Sequence, residues 1–179
     1  MQNLLNVQKN FQNYKDINYK CPKCSLGFFV PEADTFKELE PEYSQNIHAE
    51  DFFEPEMYEL QFNVTLKCNN KICGTFSFAS GEGRIETHNY ENECGYQVEY
   101  INIYNIDSFS PSPDLFTIPA GTPELTRQFL RTSFTLYWVD INSAASMMRT
   151  SLEKLIEAGG IQTKTKTGKF IPLNQRIDN

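Results

Sequence analysis

Histidine occurs only twice in this chain and tryptophan once. Ser-His-Asp chemistry would have to recruit His48 or His88, and neither lies beside an obvious partner. There is no Gly-rich phosphate cradle and no Gly-x-Ser-x-Gly elbow. Carboxylates are plentiful but lack a distinctive spacing. No stretch approaches the roughly 20 apolar residues that a membrane span requires. The first residues, Met1 to Asn13, are polar and carry no apolar signal core, so a secretory leader is not expected. No solenoid-type repeat is present. Positive charge is also short: 16 Lys and Arg face 23 Asp and Glu, giving a net charge of −7. That balance argues against whole-molecule attraction to nucleic acid.

What is present suffices for a folded protein. Hydrophobic residues make up 40% of the 179 and aromatics 13%, which excludes disorder along the whole chain. A chain of this length can bury roughly 70% of its unfolded surface. The charge is distributed unevenly. Residues 1–30 carry +3, 31–60 carry −9, 61–160 carry −4 and 161–179 carry +3. The acidic block from Glu32 to Glu59 contains Pro31 at its border and Pro41 and Pro55 within it, and reads as a solvated loop or insertion.

Five cysteines are arranged as two close pairs and a single. Cys21 and Cys24 frame Pro22-Lys23, Cys68 and Cys73 frame a four-residue gap, and Cys94 stands apart. With no leader expected, a reducing cytoplasm follows, where paired cysteines more often bind metal than form disulfides. A Cys-x-x-Cys turn makes two sulfurs converge on one ion, and four sulfurs satisfy tetrahedral Zn²⁺. Cys21, Cys24, Cys68 and Cys73 are therefore the candidate ligands of a structural zinc site with no open coordination position. Two other readings stay open. One is redox chemistry at Cys21 and Cys24, which lack a thioredoxin-like βαβ context. The other is unligated thiols. Cys94 or His88 could stand in for a ligand, although Cys94 reads better as a free thiol. His48 reads as solvated.

The flanking sequence predicts strands. Gln61–Cys68 alternates, with Phe62, Val64 and Leu66 on one side. Gly74–Ala79 alternates with Phe76 and Phe78 on one face, and Ser80-Gly81-Glu82-Gly83 reads as a turn. Arg84–His88 reads as a return strand. Gly95–Ile106 is a long strand whose phase switches near Tyr100-Ile101, suggesting a bulge or the end of a strand there. Leu4, Leu5, Val7 and Phe11 suggest a short N-terminal helix.

Beyond Pro111 and Pro113 the period becomes helical. Thr122 with Pro123 and Glu124 reads as a helix start, with Leu125, Phe129, Leu136 and Tyr137 on one face. A second helix is expected over 141–158. Its apolar stripe is Ala144, Ala145, Met148, Leu152, Leu155 and Ile156, and Gly159-Gly160 stops it. Residues 161–179 read as a basic loop leading to an element that begins at Leu173. The expected fold is α+β: a zinc-ribbon-like antiparallel β module followed by an α-helical hairpin. Its parts are an N-terminal segment (1–18), the β domain (19–119, with the acidic insertion at about 31–59) and a helical region (120–179).

Lys20, Lys23, Lys67 and Lys71 all lie close to the four cysteines and form a candidate nucleic-acid-binding cluster. Arg149 and Glu153 lie four apart on the second helix, the spacing of a surface ion pair. The helical stripe is a candidate face for a homo-oligomer or a protein partner.

The order of motifs resembles the bacterial domain of unknown function 4145 in its form with an N-terminal zinc ribbon. The features that carry this resemblance are the Cys-x-x-Cys knuckle, the second pair, the Tyr-rich strand, Leu115-Phe116-Thr117-Ile118-Pro119 and the Asn142–Ile156 helix with Arg149 and Glu153. That family's helical half is related to the HEPN superfamily, and the resemblance implies a defence or restriction setting in bacteria or phages. It also implies, as an alternative, an RNase of HEPN type with Arg149 in the family helix. This chain has no histidine after His88 to supply the catalytic one, and it stops where the family would continue. Such activity would therefore need a partner or further helices. The sequence leans towards a non-enzymatic module for nucleic-acid or protein recognition, with a structural dimerisation adaptor as another alternative.

Overall fold

A computed structural model describes residues 9–93, 95–165, 167–169 and 171–177. The chain divides into two compact units between Leu115 and Phe116. The fold class is α+β: a curled antiparallel sheet carrying a four-cysteine cluster, then a helical hairpin.

The first unit is built on one sheet with strand order β1-β7-β6-β5-β3-β2, and β4 also pairs with β5. The strands are β1 (Asn10–Phe11), β2 (Tyr19–Lys20), β3 (Phe28–Pro31), β4 (Lys37–Leu39), β5 (Glu59–Cys68), β6 (Phe76–Asn92) and β7 (Gly95–Ser110). All pairings are antiparallel. The alternation in β5 buries Leu60, Phe62, Val64, Leu66 and Cys68 and turns Glu59, Gln61 and Asn63 outward. Phe29, Ala79, Tyr104, Ile106 and Phe109 complete this side of the core.

Two expectations are corrected. The Ser80–Gly83 stretch is not a turn, because β6 runs straight through it. Both glycines serve close approach. A Cβ at Gly81 would lie 1.9 Å from the Asn105 carbonyl oxygen, and one at Gly83 would lie 2.9 Å from the Tyr104 ring. The sheet irregularity is not at Tyr100-Ile101. It lies where Gly81 pairs with Ile106 and Ser80 with Ser108, leaving Asp107 as the extra residue of a bulge. Phe76 and Phe78 do share a face, but it is the exposed one, while Ser77 and Ala79 point inward.

The acidic stretch is more than a solvated loop. It holds β4, a short helix α1 (Glu42–Ile47) and a 3-10 turn (Pro55–Met57). Its Phe36 packs against Phe62 (ring centroids 5.8 Å apart) and Tyr104 (5.3 Å), and stacks on Tyr14 at 4.7 Å. His48 is held as well: its Nε2 lies 2.8 Å from Glu40 Oε1 and its ring stacks on Tyr58. Of the expected N-terminal helix, Leu4, Leu5 and Val7 lie outside the described residues, and Phe11 lies in β1.

The second unit contains α2 (Glu124–Val139), α3 (Ile141–Ala158) and α4 (Leu173–Ile177). Pro123 takes the N-cap place expected for Thr122, and Arg127 Nη2 donates to the Ala120 and Thr122 carbonyls at 3.1 Å each. Asp140 caps α3 by accepting from the Asn142 and Ser143 N–H groups, and Gly160 (φ 80°) follows its end. The buried residues differ from the expected stripes. They are Thr126, Ser133, Phe134 and Trp138 on α2, and Ala144, Ser151 and Ile156 on α3. Small residues allow the helices to approach closely. The Ser133 and Ser151 hydroxyls donate to the carbonyls of Leu130 and Met148 in their own helices, so burying them leaves no unmet donor. Leu125, Met148, Leu152 and Leu155 remain exposed. No helix among the described residues is long and apolar enough to cross a membrane.

Candidate metal centre

Two turns meet at one end of the sheet. The first leaves β2 at Cys21 and returns as β3. It is closed by Cys21 N–H donating to the Gly27 carbonyl (2.9 Å) and Ser25 N–H donating to Cys21 O (3.0 Å). The second leaves β5 at Cys68 and returns as β6. Cys68 N–H donates to Thr75 O, and the N–H groups of Cys73 and Gly74 both donate to Asn70 O. The turns are stitched together by Asn69, whose N–H donates to Phe28 O and whose Oδ1 accepts from Phe28 N–H, both at 2.9 Å.

The four sulfurs of Cys21, Cys24, Cys68 and Cys73 all lie within 4.8 Å of one another. Cys21 and Cys73 Sγ are 3.8 Å apart, and Cys24 and Cys68 Sγ are 3.7 Å apart. A disulfide needs about 2.05 Å, so neither contact is one. A tetrahedral ion with thiolates at about 2.3 Å places its sulfurs about 3.8 Å apart. The donor set therefore fits a metal ion such as zinc.

The thiols divide into two kinds. Burial lifts Cys68 to about 12 and also raises Cys21. The Gly27 and Leu26 N–H groups draw Cys24 down to about 6, and the Thr75 hydroxyl, 3.2 Å away, lowers Cys73. Each turn thus supplies one sulfur stabilised as thiolate and one that burial keeps protonated. A divalent ion would supply the charge that allows the buried pair to ionise.

Residues not singled out in the sequence complete the site. A Cβ on Gly27 would lie 2.7 Å from Cys68 Sγ, so the cluster packs onto bare backbone there. Thr75 and Asn69 are the other two. The signals were a glycine three residues after Cys24 and a threonine two after Cys73.

His88 does not join the cluster. It lies twelve residues along β6 from Phe76, roughly 40 Å of strand. Cys94 lies outside the described residues. Lys23 and Lys71 are exposed on the two turns. Lys67 is engaged, 3.7 Å from Glu32 and over the Phe76 ring at 5.3 Å, and Lys20 lies in β2 with interactions of its own. Two apolar side chains stand out on the same turns: Leu26 is 80% exposed and Ile72 is 97% exposed.

In the helical unit Arg149 is 68% exposed and its Nε sits 3.6 Å from Glu153. Arg176, on α4, is buried and places its guanidinium 3.7 Å from the same carboxylate. Glu153 thus joins α3 to α4, a role that the i, i+4 spacing did not reveal.

These features define a class: an α+β protein with a four-cysteine centre joining two turns of a long-stranded sheet. The chain belongs to the family of the domain of unknown function DUF8608, whose model matches residues 9–112. No curated protein and no solved structure matches it. The family match corrects the resemblance to domain of unknown function 4145. It spans the β region with all four clustered cysteines and leaves out the Arg149–Glu153 helix on which that resemblance leaned. Cysteine pairs beside strands and i, i+4 ion pairs are each dictated by local geometry and recur across unrelated chains. The HEPN reading and its RNase alternative fall with that resemblance.

Proposed function

We propose that the sheet unit is a zinc-stabilised protein-recognition module. A structural Zn²⁺ held by Cys21, Cys24, Cys68 and Cys73 ties two turns whose tips engage a partner. The carrying observation is that Leu26 and Ile72, the two most exposed large apolar side chains among the described residues, sit on the turns that converge at the sulfur cluster. Leaving such side chains in water is unfavourable, and a rigid turn presents them at little entropic cost. Lys23 and Lys71 rim them and suit an acidic border on the partner. A nucleic-acid surface is less well supported. Lys67 is committed to Glu32, and two exposed lysines on a chain of charge −7 offer little phosphate contact. Reduced sulfurs at metal spacing suit a reducing compartment such as the cytoplasm.

The test combines native mass spectrometry and elemental analysis with a binding screen. The expected result is one zinc per chain, lost in Cys68→Ser. A single-stranded oligonucleotide should not bind at low salt, and pull-down partners should be lost in Leu26→Ser/Ile72→Ser. Metal-free protein with unchanged melting would reject the zinc reading. Oligonucleotide binding weakened by Lys23→Ala/Lys71→Ala would replace the protein reading with a nucleic-acid one.

A second reading concerns the helical hairpin, which we propose self-associates. Ile141, Ala145, Met148, Leu152 and Leu155 repeat at 4-3-4-3 spacing along α3, and all are exposed. That is the spacing of a coiled-coil seam. Antiparallel pairing centred on Thr150 sets Met148 against Leu152 and Ala145 against Leu155 of a second copy, small against large in the latter pair. Light scattering should give a dimer that Leu152→Glu converts to monomer. A monomeric wild type at high concentration would reject it.

A further inference from the structure

The β6–β7 hairpin extends well past the rest of the sheet. β5 last pairs with β6 at Arg84, and β1 meets β7 only at Tyr104 and Asn105. From Glu86↔Ile101 to Asn92↔Gly95, seven residue pairs form a ladder that no third strand joins among the described residues, with the Thr87 hydroxyl donating to Glu56 of the 3-10 turn near its base. This leaves an arm about 23 Å long whose β7 backbone edge faces no other strand among the described residues. One of its faces carries a ladder from β7: Tyr96 (70% exposed), Val98 and Tyr100. Thr87, Asn89 and Glu91 lie opposite them on β6. A bare two-stranded ribbon is marginal in water, and open edges that natural sheets keep are normally blunted.

Charge selects what covers the arm. Glu86, Glu91, Glu93 and Glu99 lie on it, and no Lys or Arg occurs between Arg84 and Arg127. Like charge opposes pairing with the same arm of a second copy, and it equally opposes a nucleic-acid backbone. We infer that the arm is a docking strand for an extended, arginine- or lysine-bearing segment of a partner protein. The segment adds to the free edge of β7 over residues 96–102. Its main chain bonds to the edge, as in strand addition. Its cationic side chains on one face lie over the Tyr96 and Tyr100 rings beside Glu91, and those on the other face meet Glu99. This inference is independent of the metal reading, because the arm shares no residue with the cysteine turns.

The probe is a fluorescein-labelled (Arg-Val)5 peptide, with (Glu-Val)5 as its counterpart, read by anisotropy and by amide exchange on the full chain. The arginine peptide should bind at low salt and slow exchange within residues 96–102, and the glutamate peptide should not bind. Glu91→Lys/Glu99→Lys, and separately Tyr96→Ser/Tyr100→Ser, should each weaken binding about tenfold or more. Glu50→Lys/Asp51→Lys, equal in charge but on an exposed segment outside the arm, should change it less than about twofold. No binding up to roughly 1 mM peptide would overturn the inference. So would equal weakening by the Glu50/Asp51 pair, or unaltered exchange in the arm of the wild type.

Discussion

At its Phe76 end the β6–β7 hairpin is flanked by β5, anchored through Cys68 N–H to Thr75 O and abutted by four sulfurs. At its Asn92 end β6 pairs with β7 alone among the described strands. One pair of strands therefore crosses from the most constrained part of the unit to the least. The bulge at Gly81 and Asp107 lies within the constrained half. The lesson concerns where order comes from. Near the cysteines, local turn bonds and buried sulfur fix the chain. In the arm, regular pairing continues with no apolar layer beneath it, and its exposed side chains are left for another molecule.

The largest expected effect breaks the constrained end. Cys68→Ser, or removal of metal by a chelator, should lower the melting temperature of the sheet unit by more than about 10 °C, because a structural zinc contributes on the order of 10 kcal/mol. Amide protection should fall in Phe28–Pro31 and in the Cys68 half of β5, and stay as it was in the arm. Equal loss at both ends would erase the contrast. Next comes the passage between the two. Gly81→Val forces a side chain onto the Asn105 carbonyl and should cost about 1–3 kcal/mol or more, read by urea unfolding. A neutral result would mean that the strands can separate there freely.

The sequence disclosed some of this and hid the rest for definable reasons. The four cysteines were legible because metal geometry demands turn spacing. β5 was legible because one of its faces is buried and the other wet. α3 was legible by its helical period and its Gly159-Gly160 stop. The arm was not, because Gly81 and Gly83 look like turn residues when their role is to let β7 approach. Phe36 was hidden among acids, although its ring belongs to the cluster on the sheet. The α2–α3 contact was illegible by hydropathy, since Thr126, Ser133 and Ser151 are buried with polar side chains. The apolar stripe at Met148, Leu152 and Leu155 pointed instead to a face that this chain leaves open.

A smaller effect lies at the root of the arm. Tyr104 is buried opposite Gly83, donates its hydroxyl to Glu38 and accepts from Asn102 Nδ2. Burial and the Glu38 carboxylate hold its phenol up at about 12. The folded value lies above the ordinary 10, so the stability it contributes is complete below pH 10 and is lost as pH rises towards 12. Tyr104→Phe should cost about 1 kcal/mol near neutrality and flatten the decline in stability across that alkaline window. An unchanged slope in a pH series of urea melts would show that Tyr104 is not the group responsible.

The smallest effect sharpens the comparison most. Tyr96→Ser/Tyr100→Ser removes two large aromatic side chains, a change that would cost several kcal/mol in a core. On the arm both rings are exposed, Tyr96 at 70% and Tyr100 at 57%. Unfolding free energy should therefore stay within about 0.5 kcal/mol of the wild type. The slope of the urea transition should be unchanged as well, because the folded unit buries the same area with or without those rings. A loss of 2 kcal/mol or so would mean that the ladder already has an intramolecular cover, and the two ends of the hairpin would then be held by the same kind of packing. Near-neutral stability, combined with the loss of arginine-peptide binding expected of the same variant, would place the function of these tyrosines outside the fold.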